Sequence, residues 1–218
     1  AEVAFYGLLK GMEDYLNKIK TERILSWGKD YDAGKLNEMI NRRIRVEKIA
    51  IKDVKMRTFI TEDAGRNEMV QHVYDITYGT VRAKQDTLVV IDDSIVRGTT
   101  LKESIIRMLA RLKPKRIIVV SSSPQIRYPD CYGIDMSKMG DFIAFNAAME
   151  LMNERNKSEC LKDLLERCKE LQRNNQLQTE NVVKQLYKQF TNEEISAKIA
   201  QLITPPDLGI PVQVIFQS

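Results

Sequence analysis

The segment that decides the fold begins Leu88-Val89-Val90-Ile91-Asp92-Asp93-Ser94-Ile95-Val96-Arg97-Gly98-Thr99-Thr100. It continues with Leu101 to Leu112 and closes with Arg116-Ile117-Ile118-Val119-Val120-Ser121. Leu88 to Ile91 is a short, β-branched apolar run, as a buried strand requires. Leu101, Ile105, Met108, Leu109 and Leu112 share one helical face. Thr100 followed by Glu103 is a capping-box pattern that puts the helix start at the end of the polar loop. Lys113-Pro114-Lys115 stops that helix, and Arg116 to Ser121 supplies the next strand. Strand, helix, strand is a βαβ unit, so the spacing predicts an α/β fold built on a parallel sheet.

In such a sheet, ligands sit beyond the carboxyl ends of the strands, and residues 92–100 occupy that place. The backbone N–H groups of Arg97 to Thr100 lie at a helix N-terminus, where unpaired donors and the helix dipole favour a phosphate. Gly98 permits an unusual turn and a close backbone approach, and the Thr99 and Thr100 hydroxyls add donors. Asp92 and Asp93 repel each other at a strand end and need cationic or hydroxyl partners, such as magnesium or a sugar diol. Phosphate at one end and acids at the other suit a phosphorylated sugar. A plainer reading is that Asp92 and Asp93 only cap and turn the chain. Neither a GxxxxGK[ST] loop nor a GxGxxG fingerprint occurs.

Outward from this unit, apolar residues at helical spacing predict helices over 1–20, 35–43, 159–171 and near 179–190. Val46 to Val54 alternates like a partly exposed strand, and Val212 to Phe216 is strand-like. Residues 61–86 lack sustained periodicity and read as a long loop, commonly a functional lid or a disordered segment. Residues 172–185, rich in Asn and Gln, read as an exposed connection, and Thr204 to Gly209 breaks the helical pattern.

The 218 residues, 43% hydrophobic and 29% charged, suit one globular domain with an appendage and exclude a disordered or fibrous chain. The longest aliphatic runs fall far short of the roughly 20 residues of a membrane helix. No signal-peptide pattern opens the sequence. The net charge of +4 is too small and dispersed to argue for nucleic acid, although residues 35–57 hold eight basic side chains against three acidic ones. That patch has no interleaved stacking aromatics, so nucleic acid is set aside as a partner, as the short aliphatic runs set aside a membrane. Three cysteines without CxxC spacing suggest neither a disulfide framework nor zinc, and fit a reducing cytoplasm. One histidine, His72, excludes a polyhistidine site.

Val89 to Thr100 resembles the phosphoribosyl pyrophosphate (PRPP) motif of type I phosphoribosyltransferases. Ser122-Ser123-Pro124-Gln125-Ile126-Arg127-Tyr128-Pro129, Tyr132-Gly133-Ile134-Asp135-Met136 and Arg57-Thr58-Phe59-Ile60 narrow the resemblance to glutamine amidophosphoribosyltransferases of de novo purine synthesis. The resemblance covers about residues 1–150. It implies a type I phosphoribosyltransferase sheet flanked by helices, with PRPP bound by Asp92, Asp93, Ser94, Val96, Arg97, Gly98, Thr99 and Thr100. Asp92 and Asp93 would take the ribose hydroxyls, directly or through Mg2+, and Arg97 to Thr100 the 5-phosphate. Arg57 would belong to a lid over residues 56–86. Ammonia would replace pyrophosphate without a protein nucleophile, supplied by the glutaminase domain of a full-length protein, itself a homo-oligomer.

The chain opens at Ala1-Glu2-Val3-Ala4, which resembles the helix after the family's first strand. The expected division is therefore a PRPP-binding domain over 1–150, lacking that strand, and a C-terminal helical extension over 151–218. The lid segment carries Glu62, Asp63, Glu68 and Asp75 beside Arg66 and Arg82, unlike the more basic lids of the family. That difference supports an alternative, a PRPP-fold protein that senses ligand without catalysis. Three cysteines do not match the four-cysteine iron–sulfur site of some members, and Cys131 reads as a packed side chain.

Overall fold

The computed structural model describes residues 2–29, 32–47, 49–52, 74–77, 79–130 and 136–217. Arg57 and most of the expected lid, His72, Cys131 and Tyr132 to Asp135 lie outside these residues. Strand β3 (Thr87–Asp92) pairs in parallel with β4 (Arg116–Ser121), which pairs in parallel with β5 (Val212–Phe216). This is the parallel sheet flanked by helices that the βαβ reading anticipates. A separate antiparallel pair joins β1 (Ala50–Lys52) to β2 (Tyr74–Ile76). Strand β2 falls inside the stretch read as loop; at three residues it is too short to leave a periodic signal.

The helices are α1 (Glu2–Ser26), α2 (Ala33–Asn41), α3, α4 (Ile143–Glu154), α5 (Ser158–Arg173), α6 (Val183–Tyr187) and α7 (Asn192–Ile203). Helix α3 follows the polar loop, with a π-helical turn over Leu101–Ile106 and an α-helical one over Arg107–Ala110. Helical conformation already begins at Thr99. Thr100 is therefore inside the helix, at φ −61 and ψ −40, and makes no capping bond. A capping residue needs extended backbone, which explains why the expected Thr100–Glu103 box does not form. The box forms instead at α7, where extended Thr191 and Glu194 bond reciprocally.

One face of the sheet, carrying Leu88, Ile117, Val119 and Val214, is buried in a core shared with α3, α4 and α7. Ala144, Ala147, Ala148, Leu151 and Met152 supply the α4 side; Ile195, Ile199 and Ile203 supply that of α7. The alternate residues Val89 and Ile215 are 40% and 44% exposed, so the sheet is buried chiefly on one side.

This core corrects the expected division of the chain. Position 150 falls inside α4, and α7 and β5 complete the same core and sheet as β3 and β4. Residues 151–218 are thus not a helical extension: a balanced charge count marks solvent-facing surface, not where burial stops. Among the described residues, no helix is long and apolar enough to cross a membrane.

Candidate functional site

The site lies where β3 and β4 end. Asp92 is the last residue of β3, and its carbonyl accepts the Ser122 N–H at 2.9 Å. The next carbonyl, of Asp93, accepts the Ser122 hydroxyl at 3.1 Å. Each carboxylate in turn accepts the N–H of the following residue, Asp93 N to Asp92 Oδ1 at 3.0 Å and Ser94 N to Asp93 Oδ1 at 2.7 Å. Among the described residues, no cationic side chain pairs with either acid. Asp92 is partly buried and Asp93 exposed. Burial raises the Asp92 carboxyl above its ordinary value; the Asp93 N–H opposes the shift and the Asp93 charge adds to it. A bound cation or a hydroxyl pair would offset that cost.

The loop that follows is pinned at several points. Ile95 is buried at 2% exposure, and the Val96 carbonyl accepts the Ile143 N–H at 2.8 Å. Arg97 lies 3.3 Å from Asp141, just ahead of α4, with both side chains about two-fifths exposed. Gly98 adopts φ +74, and a Cβ there would stand 2.5 Å from Ile143 Cδ1 and 2.8 Å from Ile203 Cγ2. Glycine is therefore required twice, by conformation and by space. The close approach is to the core, so the loop rests on the start of α4 and the end of α7. Its carbonyl accepts Lys102 N–H at 2.9 Å and begins α3. Thr99 and Thr100 are exposed on the first turn, whose N–H groups have no intrahelical acceptor.

The structure thus brings Asp92, Asp93, Ser94, Val96, Arg97, Gly98, Thr99 and Thr100 into one loop between an acidic end and a helix start. Sequence reading misses Asp141, Ile143 and Ile203 as its supports, because they contact it across 44 to 105 positions of chain; Ser122 figures there only within a motif. A groove of about 1090 Å³ lies elsewhere, along the β5 edge, between Gln125 and α7 residues such as Ser196 and Ala200. Neither acid nor any residue of the loop lines it. Cys160 and Cys168 are free, partly buried thiols, and no group of three or more His, Cys, Asp or Glu placed to hold a metal occurs among the described residues.

A parallel sheet whose strand end carries an acidic pair, followed by a glycine turn into a helix, is the arrangement that the sequence resemblance anticipates. More narrowly, the chain is similar to amidophosphoribosyltransferases. It is 39% identical over 95 residues to the enzyme of that name from Pseudomonas aeruginosa, covering 43% of this chain and 18% of that protein. It is 45% identical over 62 residues to the Pasteurella multocida protein of the same name, covering 28% and 12%. With the Saccharomyces cerevisiae one it shares 37% over 91 residues, covering 39% and 18%. The matched segments thus span less than a fifth of these relatives. A solved structure, glutamine PRPP amidotransferase from B. subtilis complexed with ADP and GMP, is 36% identical with a TM-score of 0.36, covering 50% of this chain and 24% of that one. No family model matches the chain.

Proposed function

We propose that the chain is the PRPP-binding synthase part of an amidophosphoribosyltransferase, which replaces the pyrophosphate of PRPP with ammonia to give 5-phosphoribosylamine for purine synthesis. The observation that carries this reading is the acidic pair at the end of β3, joined by the Gly98 turn to the first turn of α3, in a chain similar to proteins of that name. In this reading Asp92 and Asp93 take the 2- and 3-hydroxyls of the ribose, directly or through Mg2+. Two adjacent carboxylate oxygens suit a hard, oxygen-seeking cation. The metal, when bound, would neutralise the acidic pair and the departing pyrophosphate.

The N–H groups of the first α3 turn, with the Thr99 and Thr100 hydroxyls, hold the 5-phosphate. As pyrophosphate leaves, positive charge grows on the ribose ring, and the nearby acidic pair favours that charge. Ammonia then forms the new bond at the anomeric carbon, losing a proton to solvent. No side chain attacks, so rate comes from positioning and electrostatics. In the whole protein a glutaminase domain delivers the ammonia, and the chains form a homo-oligomer.

The test is pyrophosphate release from PRPP with Mg2+, with and without an ammonium salt. Release that depends on ammonium and is lost on Asp92→Asn with Asp93→Asn is expected. PRPP that binds but is not consumed, in the full-length protein, would replace this reading with ligand sensing.

A further inference from the structure

We propose that Ser122 is the positioning residue that aims both carboxylates of the acidic pair; the inference rests on the reading of that pair as the ribose and metal end of the site. The bonds at the strand ends involve two successive peptide planes. The first consists of the Asp92 carbonyl and the Asp93 N–H, and the second of the Asp93 carbonyl and the Ser94 N–H. A peptide unit is rigid, so fixing its oxygen fixes its N–H as well. Ser122 grips both planes on the oxygen side, the first through its backbone N–H at 2.9 Å and the second through its hydroxyl at 3.1 Å. On the opposite side, each plane's N–H holds one oxygen of a carboxylate, Asp92 Oδ1 at 3.0 Å and Asp93 Oδ1 at 2.7 Å. With Oδ1 tied down, the direction of each Oδ2 follows from the plane, and the plane follows from Ser122.

The first grip continues the ladder beyond the Asp92 and Ser121 pair of the β3–β4 register, and any residue with an N–H could supply it. The second grip lies one residue past the sheet and depends on the hydroxyl. Ser123 offers the natural comparison, because its hydroxyl bonds Pro124 O and Ser121 Oγ and touches neither acid. The inference therefore separates two neighbouring serines: Ser122 is tied to the site through Asp93, and Ser123 only to its own turn.

The test compares the parent chain with Ser122→Ala, Ser122→Thr and Ser123→Ala, by calorimetric titration with PRPP and Mg2+ and by amide hydrogen exchange at Ser94 without ligand. Ser122→Ala is expected to weaken PRPP binding by about fivefold, the effect of losing one neutral hydrogen bond, and to speed exchange at Ser94. Ser122→Thr, which keeps the hydroxyl, and Ser123→Ala should leave both unchanged. Equal affinity and exchange in Ser122→Ala and the parent would overturn the inference, as would equal losses in Ser122→Ala and Ser123→Ala. Failure of the parent chain to bind PRPP would instead overturn the functional reading. The exchange rate would then judge the clamp alone, an unchanged rate in Ser122→Ala rejecting it.

Discussion

Replacing Gly98 by alanine perturbs the loop in two separable ways. At φ +74 an L-residue sits in the left-handed region, which costs roughly 1 to 2 kcal/mol. The new methyl also arrives 2.5 Å from Ile143 Cδ1 and 2.8 Å from Ile203 Cγ2, inside van der Waals contact with side chains that are themselves buried. Overpacking of this kind costs about 1 to 3 kcal/mol. The sum is about 3 kcal/mol, which for a chain of this length lowers the thermal midpoint by roughly 6 to 12 °C.

Gly209 calibrates the first contribution, since it has φ +61 and an added Cβ would meet nothing within 4 Å, so Gly209→Ala should cost only the conformational part. Ile143→Val calibrates the second by deleting the Cδ1 atom in the way. In a double-mutant cycle, Gly98→Ala with Ile143→Val should recover about 1 kcal/mol relative to additivity. Denaturant unfolding of the four proteins and of Gly209→Ala measures all of this. A Gly98→Ala cost no larger than that of Gly209→Ala, or an additive cycle, would refute the claim that α4 and α7 seat the loop.

Three further outcomes follow from the same geometry. Asp92→Asn should raise the thermal midpoint slightly, because it removes a carboxylate that burial disfavours while keeping an acceptor for the Asp93 N–H; a lowered midpoint would contradict this. Thr191→Ala should cost about 1 kcal/mol of stability in denaturant unfolding and Thr100→Ala almost nothing, because only the first caps a helix. The Thr191 N–H, helped by Arg155, holds the Glu194 carboxyl below its ordinary value. Its contribution is therefore complete above that ordinary value, near 4.5, and is lost as pH falls through the lowered one. Thermal midpoints of the parent and Glu194→Gln should accordingly converge on acidification, and a constant gap would show that the carboxylate charge plays no part.

The parts of the fold legible in the sequence are those with a local period. Leu88 to Ser121 announces strand, loop and strand, and Val212 to Phe216 announces β5, because apolar runs bounded by polar turns have few other uses. Helices α4 and α7 are not among the expected helices, although Ala144, Ala147, Ala148, Leu151 and Met152, and Ile195, Ile199 and Ile203, fall at helical spacing. Thr191 with Glu194 is also a better start signal than Thr100 with Glu103, and what separates the two pairs is backbone conformation. At Thr100 the tight Gly98 turn has already committed the chain to helix.

In the site, residue types are legible and supports are not. A glycine in a polar loop suggests a turn or a ligand approach, and nothing local reveals that Ile143 and Ile203 fill the space beside it. Asp141 and Ser122 likewise acquire their meaning only when the strand ends and helix starts meet. The division at 150 fails for the same reason, since strand order, not charge, decides which residues share a core.

If residues 92–100 are the PRPP site proposed above, binding depends on the acidic pair. Calorimetric titration of the chain with PRPP and Mg2+, beside the Asp92→Asn, Asp93→Asn double variant, tests it most directly. Saturable binding by the parent chain, lost in a variant still folded by thermal unfolding, is expected. Equal binding by both proteins would place the ligand elsewhere and rule out the acidic pair as its site.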